Sequence, residues 1–184
     1  MPRIIGLSGS LRRHSFNTGL LRAAAGSVPI GVSLDVHTPQ GIPLYNGDIE
    51  VAEGLPPAVT KLKEAIAAAD GLLLATPEYN NGIPGVFKNT IDWLSRPPEG
   101  NAGIFVGKPV ALIGASPGGF GTLLAQDAWL SVLRTLGTRP WFEGRLLVSR
   151  AGGLFNAQGE LTDETTREQL RTFLEGFAAF IRSG

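Results

Sequence analysis

The sequence predicts a single three-layer α/β domain over residues 1–184, built on a five-stranded, doubly wound parallel sheet. Short apolar runs alternate along the chain with segments of helical periodicity. The central runs, 72–75 and 110–113, are apolar throughout, as strands covered by helices on both faces are. Strands that alternate with helices in this way form parallel sheets. A chain of 184 residues is long enough to bury the core of one such domain.

The elements of the amino-terminal half follow from periodicity and from their end signals. The run 4–7 is apolar and a Gly/Ser loop follows it directly, whereas 32–36 alternates with period two, as a half-buried edge strand does. Gly26 is a suitable end for the first helix, and Pro57 suits the first turn of the second. The predicted elements are strand Ile4–Leu7, helix Phe16–Ala25, strand Val32–Val36, helix Pro57–Ala69 and strand Leu72–Ala75.

The elements of the carboxyl-terminal half follow from the same signals. Pro84 opens a helix with one apolar stripe, and the run Arg96-Pro97-Pro98 ends it. The last helix carries five large apolar residues at helical spacing. The remaining predicted elements are strand Val110–Ile113, helix Thr122–Leu136, strand Leu146–Val148 and helix Asp163–Arg182.

Composition excludes several classes of function. Lys and Arg together number 16, as do Asp and Glu, and neither sign is clustered, which disfavours nucleic-acid and anionic-membrane partners. The absence of cysteine rules out disulfides, thiolate catalysis and Cys-ligated metals. Two isolated histidines form neither a metal cluster nor a Ser/His/Asp triad. The amino-terminal apolar run is too short for a signal sequence, and no run is long enough to span a membrane, so we expect a soluble cytoplasmic protein.

Three loops follow the carboxyl ends of predicted strands, where doubly wound folds bind their ligands. We call them loop 1 (8–17), loop 2 (76–85) and loop 3 (115–121). Loop 1 leads into a helix N-terminus, which attracts anions, and Arg12 or Arg13 supplies a countercharge. The glycine patterns that bind dinucleotides and ATP are absent, so loop 1 is suited to a single phosphate held by Ser10, Ser15 and Asn17. A simpler interpretation is that Ser15 only caps the helix.

Loops 2 and 3 add features suited to a flat heteroaromatic ring. Loop 2 is rich in turn-forming residues, and Pro77 and Tyr79 offer apolar surface against a ring face. In loop 3, Gly118 and Gly119 let the backbone approach a ligand and adopt positive φ. Both loops have the alternative interpretation of plain connections. No pair of carboxylates stands out as acid and base, so an enzyme of this sequence needs a cofactor for the difficult chemistry.

Two segments together resemble the NADPH-dependent FMN reductase family of flavodoxin-like proteins, which includes bacterial quinone, chromate and azo-dye reductases. They are Gly9-Ser10-Leu11-Arg12…Ser15-Phe16-Asn17 and Thr76-Pro77-Glu78-Tyr79-Asn80…Ile83-Pro84-Gly85…Lys88-Asn89…Ile91-Asp92-Trp93…Ser95-Arg96. The order and spacing of the units also follow the family, so the resemblance covers essentially the whole chain. It implies a flavodoxin-like sheet of strand order 2-1-3-4-5.

The resemblance also implies the residues of an FMN site and an assembly. The FMN phosphate would be held by Ser10, Arg12, Ser15 and Asn17. The isoalloxazine edge would be contacted, mainly through backbone, by Pro77, Glu78, Tyr79 and Asn80. Loop 3 would approach the ring at Ser116 and Gly118. Family members are dimers or tetramers with flavin at the subunit interface, which implies a homodimer here, or a tetramer.

The assembly leaves two alternatives and one departure from the family. Trp93 and Arg96 lie at the end of a predicted helix, where they either face a partner subunit or pack within the chain. Several relatives have Arg and Tyr where this chain has Leu124 and Asp127, and some have an acid at the position of Trp141. Those polar residues join subunits in the relatives, so a tetramer through the same contacts is not expected.

The function implied is hydride transfer from NADPH or NADH to bound FMN, followed by reduction of a quinone, free flavin, azo compound or chromate. No side chain is assigned as acid or base, because the flavin N5 carries the chemistry. One alternative is a flavodoxin-type electron carrier without nicotinamide chemistry, although such carriers are strongly acidic and this chain is neutral overall. Another is a nicotinamide-binding or purely structural α/β domain.

Overall fold

The computed structural model describes residues 1–97 and 103–184. Its sheet has the strand order β2-β1-β3-β4-β5, with β6 also paired to β4, and every pairing is parallel. The strands are β1 Arg3–Ser8, β2 Ser33–His37, β3 Gly71–Ala75, β4 Pro109–Ala115, β5 Arg139–Pro140 and β6 Leu146–Val148. This confirms the predicted doubly wound sheet of order 2-1-3-4-5.

The fifth position of the sheet is divided between two short strands, where the sequence predicts one. The short strand β5 pairs with the start of β4, and β6 pairs with its end. Between them the chain leaves the sheet at Trp141, whose indole packs beside Gly144 and Gly176. A Cβ at Gly176 would lie 2.7 Å from Trp141 Cζ2, and one at Gly144 would overlap the ring. Burying this large side chain interrupts the edge strand, so the prediction of one strand at 146–148 was incomplete.

The described residues form six α-helices, five of which cover the two faces of the sheet. Alternate residues of the central strands face opposite sides, as Ile4 and Ile5 do, and each side has its own core. The first and last helices cover one face, and the third, fourth and fifth cover the other. The helices are α1 Phe16–Ala25, α2 Gly47–Glu53, α3 Pro57–Ala67, α4 Gly85–Leu94, α5 Leu123–Thr135 and α6 Glu164–Arg182.

All five predicted helices are confirmed, with ends shifted by two residues or fewer. Helix α3 begins at Pro57 as predicted, and α4 begins directly after Pro84. The predicted end signal of α4 includes Pro98, which lies outside the described residues. Among the helices of residues 1–97 and 103–184, none combines the length and apolar character needed to cross a membrane.

Helix α2 was not predicted, and it is held in place by the end of α4. The Glu50 carboxylate accepts hydrogen bonds from Arg96 Nε at 2.9 Å and from the Tyr45 hydroxyl at 2.9 Å. The Trp93 indole is fully buried, donates to Pro43 O at 2.9 Å and meets the edge of the Tyr45 ring. Trp93 therefore packs within its own chain, which decides between the two alternatives for this residue.

Candidate functional site

Loops 1, 2 and 3 follow β1, β3 and β4, which are neighbours in the sheet, so the three loops meet at one edge. They surround one pocket. Of the ten predicted residues, those that line it are Ser10, Arg12, Ser15, Asn17, Pro77, Glu78, Tyr79 and Ser116. Asn80 and Gly118 adjoin the pocket in sequence without lining it. Phe16, Ala115 and Pro117 also line it and were not singled out, although each is a direct neighbour of a predicted residue.

Loop 1 presents the N-terminus of α1 to the pocket. The Ser15 hydroxyl accepts from Thr18 N at 3.3 Å, so Ser15 does cap the helix. The backbone N–H groups of Phe16 and Asn17, in the first turn, have no acceptor among the described residues. Ser10 is buried, and its hydroxyl accepts from Arg12 N at 3.2 Å, which turns the loop back on itself. Loop 1 thus offers two free N–H groups and the positive end of a helix dipole.

Arg12 adds a full positive charge at this position. Its side chain is exposed, and none of the ion pairs in the described residues includes it. The guanidinium lies 6.0 Å from the centroid of the Phe16 ring, which places it over the first turn of α1. Arg13 is also exposed but does not line the pocket. Of the two arginines predicted to supply the countercharge, the structure therefore favours Arg12.

Asn17 ties loop 1 to the end of β4. Its Nδ2 donates to Ala115 O at 2.8 Å, and its Oδ1 accepts from Ala115 N at 2.9 Å. The side chain is buried, and these two bonds span 98 positions of the sequence. The side-chain amide, predicted to bind a phosphate, therefore bonds the backbone of Ala115 instead. The Asn17 backbone N–H, which has no acceptor among the described residues, is still available to a ligand.

Glycine at position 9 allows loop 1 to pack against loop 2. A Cβ there would overlap the Phe87 ring and lie 2.8 Å from Pro77 Cδ. The Gly9 N–H donates to Ala75 O at 2.9 Å, so the two loops also share a backbone hydrogen bond at their bases. Only glycine leaves room for this approach.

Loop 2 is a tight hairpin that exposes Tyr79. Tyr79 and Gly82 exchange two backbone hydrogen bonds of 3.1 Å. Between them, Asn80 and Asn81 have φ of 51° and 62°, the left-handed geometry of a type I′ turn. Asparagine adopts this conformation more readily than most residues. As a result the Tyr79 ring, 47% exposed, stands beside buried Pro77 at the mouth of the pocket.

The Glu78 side chain joins loop 2 to helix α5. Its Oε2 accepts from Ala125 N at 3.0 Å, in the first turn of that helix. Thr122, the residue at the N-cap, makes no side-chain hydrogen bond to the first turn. Glu78 therefore accepts from a backbone N–H of α5 that the N-cap residue leaves without an acceptor. The carboxylate is therefore turned away from a catalytic role and towards positioning. A contact between distant segments of this kind has no signal in the local sequence.

Loop 3 is fixed by its neighbour β6. Ser116 N donates to Val148 O at 3.0 Å, the Ser116 hydroxyl donates to Gly121 O, and Gly118 O accepts from Arg150 N at 2.9 Å. Positive φ was expected at Gly118 and Gly119, but the structure has it at Gly121, with φ of 64°. That expectation was wrong because the chain reverses where loop 3 meets α5 rather than at the exposed glycine pair.

In the described residues, no group of three or more His, Cys, Asp or Glu side chains comes together in a way that could hold a metal ion. The pocket instead combines free N–H groups and one unpaired cation on its loop 1 side with apolar surface on its loop 2 side. Such a pair of environments accommodates an anionic group joined to an apolar ring.

The family model for the NADPH-dependent FMN reductases matches residues 2–153, most of the chain and all three loops. The chain belongs to this family. Family membership confirms the predicted class, an FMN-dependent NAD(P)H oxidoreductase.

Similar proteins support the assignment over the full length. An NAD(P)H-dependent FMN reductase of Pseudomonas aeruginosa is 46% identical over 98% of this chain and 95% of its own. A 2-hydroxy-1,4-benzoquinone reductase of a Burkholderia species is 38% identical over 98% and 96%. Among solved structures, a flavoenzyme NAD(P)H:(acceptor) oxidoreductase from Paracoccus denitrificans has a TM-score of 0.86 and 32% identity, covering 100% of this reductase and 98% of its own chain.

Proposed function

We propose that this reductase binds FMN in the pocket between loops 1, 2 and 3 and passes electrons from NAD(P)H to quinones. The observation that carries the proposal is the meeting, in one pocket, of an open helix N-terminus with an unpaired arginine and an exposed aromatic hairpin. The phosphate would lie at Ser10, Arg12, Ser15 and Asn17. The ring would lie against Pro77, Glu78, Tyr79 and Asn80, with Ser116 and Gly118 at its other side.

The phosphate end of the proposal rests on groups that the chain itself does not satisfy. In the described parts of the chain, the N–H groups of Phe16 and Asn17 have no hydrogen-bond acceptor, and the Arg12 guanidinium has no hydrogen-bond or ion-pair partner. A phosphate monoester supplies acceptor oxygens and negative charge to all three at once. The Ser15 hydroxyl can donate its own proton to the phosphate while it accepts from Thr18 N.

The ring end of the proposal rests on rigidity. When bound, FMN supplies the capacity to accept hydride from a nicotinamide and to reduce a second substrate. The protein supplies position: Asn17 fixes loop 1 to β4, and Glu78 fixes loop 2 to α5. These contacts hold the three loops at constant separation, so reacting molecules meet in a preset orientation. The hairpin geometry at Asn80 holds its backbone groups at the same rim.

Quinones are the proposed acceptors because several similar proteins are named for them. Besides the benzoquinone reductase, these include an NADPH:quinone oxidoreductase of Arabidopsis thaliana, 38% identical over 97% of this chain. A flat quinone also suits a pocket mouth lined by Tyr79 and Pro117. Free flavin, azo compounds and chromate are the competing acceptors that a substrate panel would separate from quinones.

We also propose that the protein is a cytoplasmic homodimer. Leu44 and Val51, on the segment fastened to α4, are 81% and 89% exposed, and burial against a second copy would remove this apolar surface from water. Several relatives have Arg and Tyr, which join subunits, at the positions where this chain has Leu124 and Asp127 on α5, so a dimer is favoured over a tetramer. Sedimentation of the FMN-loaded protein measures its oligomeric state directly.

Anaerobic titration tests the proposed function. The visible flavin absorbance of the loaded protein should bleach on addition of NADPH or NADH, and a benzoquinone should restore it. A protein that binds FMN but is not bleached by either nucleotide would be an electron carrier instead. A protein that takes up no FMN would overturn the proposed site as well.

A further inference from the structure

The carboxyl edge of the sheet has a second cation beyond the pocket, at Arg150. Arg150 follows β6, its side chain is exposed, and it belongs to none of the ion pairs found in the described residues. Arg150 does not line the pocket that loops 1, 2 and 3 surround. It is therefore available to a different anion from the one that loop 1 would hold.

The backbone of Arg150 is held firmly in an unusual conformation. Its φ and ψ are 51° and 38°, in the left-handed region, where glycine and asparagine are more common. Its N–H donates to Gly118 O at 2.9 Å, and its carbonyl accepts from Gly153 N at 3.2 Å. An arginine at this position is not explained by backbone preference, which points to a use for its side chain.

An exposed aromatic residue stands in the loop to which Arg150 is bonded. Phe120 is 78% exposed, in loop 3, two positions after Gly118. Its carbonyl accepts from Leu123 N at 3.3 Å, and Gly121 reverses the chain next to it, so the backbone is fixed while the ring faces solvent. A large exposed ring at the ligand-binding edge of such a fold is a stacking surface for another ring.

Together the two side chains match one half of a nicotinamide dinucleotide. An aromatic ring stacks on adenine, and a guanidinium pairs with a phosphate oxygen. NADPH differs from NADH only by a phosphate on the adenosine 2′ oxygen. We propose that Phe120 and Arg150 form the subsite for the adenosine 2′-phosphate half of NADPH, with Arg150 selecting NADPH over NADH. This inference rests on the proposed function, because it assumes that the nucleotide reaches a flavin held by loops 1 to 3.

Binding of fragments tests the subsite without any turnover. Calorimetry of the FMN-loaded protein would compare adenosine 2′,5′-bisphosphate with adenosine 5′-monophosphate. Arg150→Asn removes the charge while keeping a residue that tolerates left-handed backbone. It should weaken bisphosphate binding about tenfold or more, as loss of a charge-assisted hydrogen bond does, and change monophosphate binding less than about twofold. Arg150→Lys keeps the charge and should retain most of the affinity.

Matched controls lie at the opposite end of β6. Arg145 directly precedes that strand and is exposed, so Arg145→Asn should leave both affinities unchanged. Phe120→Ala should weaken both fragments by about fivefold or more, since both carry adenine. Phe142→Ala removes an equally exposed ring, 71% accessible, before β6 and should weaken neither. Equal losses of the two fragments in Arg150→Asn, or the same effect in Arg145→Asn, would overturn the subsite.

Steady-state kinetics separate this proposal from the proposed function. Arg150→Asn should raise KM for NADPH about tenfold, with KM for NADH, the maximal rate and FMN affinity unchanged. If the wild-type flavin is bleached by neither nucleotide while bisphosphate still binds through Arg150, the subsite stands and the proposed function fails. If Phe120→Ala shifts the oligomeric state and leaves both fragments unaffected, the ring belongs to a subunit interface and its place in the subsite is wrong.

Discussion

The two edges of the sheet treat their charged groups in opposite ways. At the amino edge the chain supplies partners for Arg3, whose guanidinium pairs with Asp35 at 2.9 Å and whose backbone N–H donates to the Asp70 carboxylate. There, too, Lys108 Nζ donates to the carbonyls at the end of α3. At the carboxyl edge Arg12 and Arg150 have no carboxylate partner in residues 1–97 and 103–184.

This difference separates residues that hold the fold from residues that hold a ligand. A polar group satisfied by its own chain contributes to folding with or without a ligand. A cation and free N–H groups gathered in a pocket contribute little to folding, because the unfolded chain has them in water as well. Their free energy is realised only when an anion binds. Substitutions at the two edges should therefore differ in which measurement they change.

The largest combined effect, on folding and on FMN binding together, is expected at the point where loop 1 packs against loop 2. Gly9→Ala should lower the free energy of unfolding by about 1–3 kcal/mol and weaken FMN binding as well, since a Cβ there overlaps the Phe87 ring. Urea unfolding and flavin fluorescence titration measure the two quantities. Gly118→Ala is the matched control in loop 3, where the nearest atom to a Cβ is Ser116 Oγ at 3.8 Å, and it should change stability by less than about 0.5 kcal/mol. Equal effects of the two substitutions would show that loop 1 is not packed as described.

The next largest effect concerns the unpaired cation of loop 1. Arg12→Ala should weaken FMN binding by about 1.5–3 kcal/mol, the value of a charge-assisted hydrogen bond, and leave the stability of the FMN-free protein unchanged. Arg13→Ala is the control, because Arg13 is an exposed neighbour that does not line the pocket. Unchanged FMN affinity in Arg12→Ala would show that the anchoring charge lies elsewhere.

At the amino edge the pattern should reverse. Lys108 is partly buried, and burial lowers its pKa, although the Asp70 carboxylate opposes the shift. Lys108→Met leaves the carbonyls of Ile66 and Ala69 without this donor, so stability should fall by about 1–2 kcal/mol while FMN affinity is unchanged. Lys61→Met, on the exposed face of α3, should change neither quantity. A loss of FMN affinity in Lys108→Met would contradict the separation of the two edges.

The sequence predicts the buried parts of the fold better than the exposed ones. Strands β1, β3 and β4 are buried on both faces, and such strands have continuous apolar runs that are visible in the sequence. Helix α2 has no buried residue and therefore no apolar stripe to detect. Strand β5 is only Arg139–Pro140, too short for any periodic pattern.

For the candidate site, the sequence places the residues but not their contacts. The order of strands brings loops 1, 2 and 3 together, so lining residues follow from chain position alone. The bonds from Asn17 to Ala115 and from Glu78 to Ala125 depend on distances between segments, and no local pattern encodes those. Both side chains have groups that suit a ligand, and in both the fold uses those groups to join its own loops.

The smallest effect is expected at His37, which lies at the carboxyl edge of the sheet but outside the pocket. It tests whether a residue at this edge affects FMN binding without lining the pocket. His37 ends the edge strand β2 but does not line the pocket. Burial lowers its pKa below the usual 6.5; the nearby Asp35 carboxylate opposes this, and Lys61 and Arg3 add to it. Just below pH 6.5 the unfolded chain therefore binds more protons at this position than the folded protein does, so the free energy of unfolding falls as the solution is acidified.

His37→Asn should lessen this acid-induced loss of stability between about pH 7.5 and about pH 5, measured by urea unfolding, and should leave FMN affinity unchanged at both pH values. His14→Asn, at an exposed residue of loop 1, is the control and should leave this acid-induced loss of stability unchanged. If His14→Asn lessens the loss instead, the acid sensitivity arises in loop 1 and not at the end of β2.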